Sequence, residues 1–557
     1  VDLAGWWLDG DVLHVGSVSI GEGARVGART TIMPNTVIEP FVNIQPGLCV
    51  SGTVQKCTSG SVAFELESKI FLGREESLWT RLRYTLSLFL LETIPVIAAV
   101  PAIAVGLLIV YPATENDLKS IIVELFVTAV PGTVVGMICY ASIIVALVRF
   151  ASRYLQPGLQ SWHSTSTWAA WLTHCLMWEA RVVLFPLYAS ILTPTWLSLL
   201  GAEVGRRSEA STILTPPSLL RVDDESFIAD DVLIAPYELC AGYIRLGTSS
   251  VGTRAFVGNS AIVALEHRVQ DGGLIGVLGT APPPMQMNPG SSWLGRPAFP
   301  LPRKAEEPLD QSRTFDSTLQ LKIARSLVEI WRLLPLVCSL VLARFTLLGM
   351  SRISDMLGFG WAVAAGGVLL MTAGVVACAL ASCAKWILTP RIRPEENHPL
   401  WSSFVWRNEL ADTFVESLAV PWLAKMCYGT PMLSVWLRTL GAKIGTGVWC
   451  ETHRLSEAEL VHIGDGATIN RGCLLQTHLF HDRLMRLDIV DLQPSATLGP
   501  YSISLLGTVI GAGTTIGPSS LVMRGEKIPP GTRWRGNPVR PWTQDDIPDI
   551  QWKPMPV

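Results

Sequence analysis

Between Leu492 and Trp534 every sixth position is aliphatic or aromatic, running Leu492, Leu498, Ile510, Ile516, Val522, Ile528 and Trp534 with Ser504 as the one exception. This step is neither the period of about 3.6 of a helix nor the period of about 2 of a strand. Short flat strands joined by tight corners produce it, three to a coil, and so predict a parallel β-helix of the hexapeptide type. The same step recurs upstream at Ile20, Val26, Ile32, Ile38, Ile44 and Val50, and again at Val222, Ile228, Ile234, Cys240, Val251, Val257, Val263, Val269 and Ile275. The third ladder begins at Ile463, Ile469 and Leu475 and resumes at Leu492.

Two other patterns separate these ladders. Long apolar runs from Tyr84 to Tyr111 and from Ser120 to Phe150, joined by the polar turn Pro112 to Lys119, each exceed the ~20 residues that cross a bilayer. They predict a helical hairpin, because lipid leaves backbone groups no other partner. A second hairpin is expected at Ala324 to Met350 and Met356 to Leu388, although Glu329, Arg332 and Arg344 make its first helix less apolar. Repetition supports it: Pro95 and Pro335 stand 240 positions apart, as do Gly201 and Gly441, while Pro289-Gly-Ser-Ser-Trp293 and Pro530-Gly-Thr-Arg-Trp534 stand 241 apart. The Trp-rich segments Trp162 to Leu200 and Trp401 to Leu440 are expected as helices lying at the membrane surface. The expected division is a truncated first β-helix over 1–72, a transmembrane hairpin over 73–155, interfacial helices over 156–205 and a second β-helix over 206–302. A linker over 303–318, a second hairpin over 319–390, interfacial helices over 391–440, a third β-helix over 441–541 and a tail over 542–557 complete it.

Composition agrees with a membrane protein: 49% of residues are hydrophobic, 16% are charged and the mean hydropathy is +0.37. A net charge of -3 argues against nucleic acid as a partner. Eleven scattered cysteines without a CxxC pair suggest neither a disulfide framework nor a zinc ribbon. Arginines and lysines gather on the ladder side of both hairpins, from Arg81 and Arg83 to Arg391 and Arg393, which by the positive-inside rule places the β-helices in the cytoplasm; the membrane expected is the plasma membrane. The chain opens inside a running ladder and is expected to be the C-terminal piece of something longer.

Loops extruded from a rigid stack are where chemistry is expected. The ladders break at Gly5 to Ser19, Ala241 to Ser250 and Gln476 to Asp491, and only the third break is dense in proton-transfer groups. His478, His481, Asp482 and Arg483 fall together there, with Glu451 and His453 in the preceding coils. Acyl transfer to an amine needs a base near neutral pKa, which imidazole supplies, and a carboxylate to fix its tautomer. His478 is the expected base, oriented by Asp482 or Glu451, with His481 and His453 as further catalytic candidates. Asn470, Cys473, Gln476, Thr477 and Arg483 are expected to bind substrate. No metal site is expected, since the His-x4-His spacing of hexapeptide carbonic anhydrases is missing: 478 to 481 is a step of three. His14 and His267 lack a clustered acid-base partner in sequence, and the PGxxWxGxP pattern is expected to shape the exit from the last coil.

The third ladder with Gly536-Asn-Pro-Val539 resembles hexapeptide-repeat acyltransferases, which implies a left-handed parallel β-helix. The whole arrangement resembles the terminal region of non-ribosomal peptide synthetases of the epsilon-poly-L-lysine synthetase type. The residues that carry this are CETH (Cys450 to His453), GDGATINRGCLLQTHLFHDR (Gly464 to Arg483), APYEL (Ala235 to Leu239) and MRGEKIPPGTRWRGNP (Met523 to Pro538). The fold class expected is thus mixed, left-handed β-helix domains alternating with transmembrane helical hairpins. The resemblance implies upstream adenylation and thiolation domains as partners and a growing peptide or other amine as acceptor. It implies no cofactor bound directly; the donor is a phosphopantetheine-linked thioester of a carrier domain, with an acetyl-CoA-like donor left open, and so is self-association. A second reading, a non-catalytic membrane scaffold or polymer conduit, fits the plainer second ladder.

Overall fold

The computed structural model describes residues 1–3, 5–55, 77–110, 118–240, 243–302 and 311–542. Residues 56–72 of the expected first β-helix, 112–117 of the expected turn, half of the 303–318 linker and all but the first residue of the 542–557 tail lie outside them.

The six-residue ladders become strands of two or three residues, each paired in parallel with the strand one coil on. Thr497 pairs with Thr515 and Thr515 with Arg533, a return every 18 positions. Successive strands belong to three different sheets, so the third ladder forms parallel sheets of five and three strands and a six-stranded sheet whose last strand turns back antiparallel. The aliphatic of each hexad points inward: Ile510, Ile516 and Val522 are wholly buried, each stabilising the stack by about 2 kcal/mol. The corner residue has a left-handed backbone, and it too recurs every sixth position, at Ser495, Tyr501, Gly507, Gly513, Ser519 and Gly525. The small residue after the aliphatic has its own cause, since a Cβ on Gly511 would lie 2.5 Å from the Pro530 nitrogen of the next coil.

The three stacks close on one another. The first meets the third where Thr31 and Ser519 hydroxyls lie 3.0 Å apart. The second meets the third through Val277, Leu278 and Leu294 against Leu505, Leu506 and Leu521. The first meets the second where Arg296 donates to the Gly47 carbonyl at 3.2 Å.

The breaks expected as irregular loops are antiparallel hairpins, Trp6–Asp9 with Val12–Val15, Glu238–Cys240 with Tyr243–Leu246, and His478–His481 with Leu484–Leu487. Their strands, of three or four residues each, are too short to carry a hydrophobic period of their own. The first hairpin lies on the third stack, where Asn470 exchanges hydrogen bonds with Leu8. The third lies on the second stack, with Phe480 against Phe227 at 5.4 Å.

Among the described residues, four helices are long and apolar enough to cross a membrane. Helices α1 (Leu78–Val110) and α2 (Leu118–Ser152) form the first hairpin, and α3 (Thr165–Val183) and α4 (Thr193–Leu200) lie between it and the second stack. The next span begins earlier than its apolar run, as α5 (Leu319–Glu329), a tight turn over Ile330–Leu333 and α6 (Leu334–Leu357), and it is followed by α7 (Phe359–Leu388). The charges that made this span look poor find partners within the protein: Glu329 pairs with Arg325, which also reaches Glu209, Arg332 pairs with Glu409, and Arg344 donates to the Thr128 hydroxyl. Glu409 belongs to α8 (Ser403–Phe414), which Ser402 caps by accepting from the Val405 amide.

Candidate active site

His478 opens the third hairpin, and its ring is held from behind. Its Nδ1 lies 2.9 and 3.0 Å from the two oxygens of Glu457, a carboxylate with no exposed side-chain surface. Glu457 has a left-handed backbone at the start of the short helical turn Ala458–Leu460, which turns its side chain toward the hairpin. It also accepts from Asn408 Nδ2 at 2.8 Å and from Thr477 Oγ1 at 2.6 Å. With Nδ1 committed to the carboxylate, Nε2 is the nitrogen left for chemistry.

The ring borders a cavity of about 120 Å3 enclosed by the second stack, the third hairpin, α5 and α8. Its polar wall is Glu209, Asp230, Glu409 and Asp412, with Arg325 and Arg332. Both arginines are spent on carboxylates, whereas Asp230 accepts from the Thr212 hydroxyl at 3.1 Å. The carboxylates therefore outnumber the cations. Burial alone would push the His478 imidazolium down, but the charge and hydrogen bond of Glu457 overcome it and raise the group to about 9. Glu457 is held below the usual carboxylate range although burial opposes this, because His478, Thr477 and Asn408 stabilise its anion. Asp412 is pushed up to about 8, first by burial and then by the Glu457 charge. Burial lifts Glu409 to about 7, with Arg332 opposing.

The other residues expected at the site are dispersed. His481 pairs with Asp482 across 3.4 Å, and Asp482 and Arg483 form the left-handed tip of the hairpin, so Asp482 does not orient His478. Glu451 does not either: its carboxylate accepts from the Arg471 amide at 3.1 Å, on another face of the coil. Glu457 takes the role expected of both. His453 makes a separate pair, Nε2 to Glu416 at 2.7 Å and Nδ1 to the Tyr428 hydroxyl. Of the residues expected to bind substrate, Thr477 touches the dyad through Glu457 and Gln476 is buried beside it. Asn470 is taken by Leu8, and Cys473 is wholly buried inside the coil. Arg483 is buried, donating to the Thr314 carbonyl at 3.2 Å and to those of Arg207 and Glu225 at 2.6 and 2.9 Å. It clamps the hairpin to the second stack and has no face toward a substrate. His14, which Asp9 and Asp11 precede in sequence, lies 3.6 Å from Asp9 and stacks on Trp7.

Sequence reasoning missed Glu457, Asn408, Asp412 and Asp230. They come from three distant elements, and only Glu457 leaves a trace, since Ser456-Glu457-Ala458-Glu459 stands just ahead of the ladder's first aliphatic, Ile463. The second unit supplies the contrast. Pro216 precedes the short turn Pro217–Leu219 as Glu457 precedes its own, and Tyr237 precedes the second hairpin at the position of His478, 241 residues earlier. Tyr237 meets the His174 ring edge-on at 5.9 Å, and the first hairpin opens with Trp6. Among the described residues no group of three or more His, Cys, Asp and Glu is placed to hold a metal ion.

Fold and site together define a mixed protein of parallel-strand stacks and membrane-length helices with a buried acid-base cavity. No family model and no solved structure matches the chain. It is 33% identical over 440 residues to a delta-poly-L-ornithine synthetase of Acinetobacter baumannii (strain AB307-0294). The match covers 78% of this chain and 33% of that protein, so the chain spans about a third of the length of the relative it matches.

Proposed function

We propose that the chain is the membrane-embedded part of a non-ribosomal peptide synthetase-like enzyme that joins a carrier-bound aminoacyl thioester to an amine, building an amino-acid homopolymer. The observation that carries this reading is the His478–Glu457 dyad opening into an acidic cavity between the second and third stacks. The similarity to a poly-ornithine synthetase supports the reaction class, and excess carboxylate suits a cationic diamino acid or its polymer. In this reading the stacks are left-handed β-helices on the cytoplasmic side of the plasma membrane. Adenylation and thiolation domains upstream supply the donor.

The acceptor nitrogen attacks the thioester carbonyl. Neutral His478 takes the proton that nitrogen sheds as the C–N bond forms, Glu457 stabilising the imidazolium. The C–S bond breaks, and the proton passes to the departing thiolate, leaving amide and free carrier thiol. A base raised by Glu457 is strong but mostly protonated at neutral pH, so the rate climbs with pH toward about 9. The test is His478→Ala in the full-length enzyme. Polymer formation should fall by ~100-fold or more, while amino-acid adenylation and carrier loading stay unchanged. Undiminished polymer would remove His478 from the reaction and favour the scaffold reading.

A further inference from the structure

Beyond the cavity, on the side of Asp231 and Ser260, arginines converge from four separate elements. Arg29 of the first stack and Arg181 of α3 both reach Asp231, at 3.1 and 2.7 Å. Arg296 of the second unit's exit segment donates to the Ser260 carbonyl at 2.7 Å, and Ser260 in turn lies 3.2 Å from Asp231. Arg454 of the third unit is exposed and close enough to act electrostatically on Asp231 and Glu416. Four cations thus share two carboxylates, one of which, Glu416, is already bonded to His453.

The cluster adjoins the cavity through consecutive residues, Asp230 and Asn259 lining one and Asp231 and Ser260 the other. Two donors there are closed to solvent and have no acceptor among the described residues, Arg29 Nη1 and Arg296 Nε. Burial and the neighbouring arginines push the Arg29 guanidinium down, and burial with Arg29 beside it pushes Arg296 to about 9. A purely structural set of ties accounts for Arg296, which joins Gly47 to Ser260. It does not account for Arg454, whose side chain has no hydrogen bond or ion pair among the described residues.

We infer that Arg29, Arg181, Arg296 and Arg454 form an oxyanion subsite at the edge of the cavity, which holds the charged end of a substrate whose reactive end lies at His478. The inference rests on the amide-forming reading of that cavity. Two substrate groups have this chemistry, the phosphate of the donor's phosphopantetheine arm and the terminal carboxylate of the acceptor.

Calorimetry on the chain in detergent distinguishes them, comparing 4′-phosphopantetheine with pantetheine and L-ornithine with L-ornithinamide. One anionic probe should bind ~10-fold tighter than its neutralised counterpart, the increment of a charge-assisted contact. Arg454→Gln and Arg29→Gln should each erase most of that preference; Arg454, exposed and untied, can be changed without risk to the fold. A phosphate preference assigns the subsite to the donor and a carboxylate preference to the acceptor. Equal binding within both pairs, or a preference indifferent to both substitutions, overturns the subsite. Retained polymer formation in His478→Ala beside an intact preference would instead discard the reaction and keep the subsite.

Discussion

The Glu457 carboxylate accepts from His478, Thr477 and Asn408 at once, so its charge is fixed and cannot easily be taken up by a proton. That fixed charge turns an enclosed imidazole, which burial would make a weak base, into a strong one. Glu457→Gln keeps the shape and removes the charge. The pH midpoint of the rate should then fall from about 9, because burial is opposed only by the charges of Asp412 and Asp230. The plateau rate should drop by about tenfold or more as the imidazolium loses its counter-charge. A pH–rate profile of carrier-thioester consumption checks this; an unmoved midpoint would mean that another group titrates. His478 itself was legible in the sequence because it is an imidazole in the one break rich in proton-transfer groups. Its partner was not, since the backbone fold that aims Glu457 at the hairpin is a left-handed residue before a single short turn. Local spacing instead pointed to Asp482, which the tip geometry turns away.

At the scale of elements, the hairpin His478–Leu487 carries the candidate base and is fixed at its far end by Arg483. That guanidinium is buried against carbonyls of the second stack and of Thr314, and lies over the Phe315 ring. Replacing it by Ala leaves those carbonyls without donors, at a cost of about 3 kcal/mol. Arg483→Ala should therefore lower the melting temperature and speed hydrogen exchange across the hairpin, with polymer formation reduced alongside. Unchanged exchange there would show that the hairpin holds its place by other contacts. The ladders and apolar runs were readable because each element repeats one period over many residues, and every predicted hexad position except Cys240, which belongs to the second hairpin, falls on a parallel strand. The hairpins were not, because a strand pair of four residues each contributes too few repeats to stand out. Helix α5 begins before its apolar run because the Thr318 hydroxyl caps it there, accepting from the Leu321 amide.

For the whole molecule, the packing of the three stacks lays the first hairpin on the third stack and the third hairpin on the second, and the latter junction holds the acid-base cavity. The sequence indicated that the unit repeats but gave no measure of how the repeats meet, since those contacts join residues such as Thr31 and Ser519. The proposed orientation puts the α6–α7 tip on the side opposite the stacks. A cysteine introduced at Ser354, in a variant lacking the native cysteines, should react in intact cells with a membrane-impermeant maleimide, and one at Ser495 should not. The reverse pattern would invert the topology.

The most direct test of the central claim is a structure of the full-length enzyme whose carrier holds a non-hydrolysable amide analogue of its aminoacyl thioester. The account predicts the analogue's carbonyl in the cavity between the second and third stacks, within hydrogen-bond reach of His478 Nε2. A carbonyl seated instead beside Tyr237 or Trp6, or outside all three junctions, would contradict it.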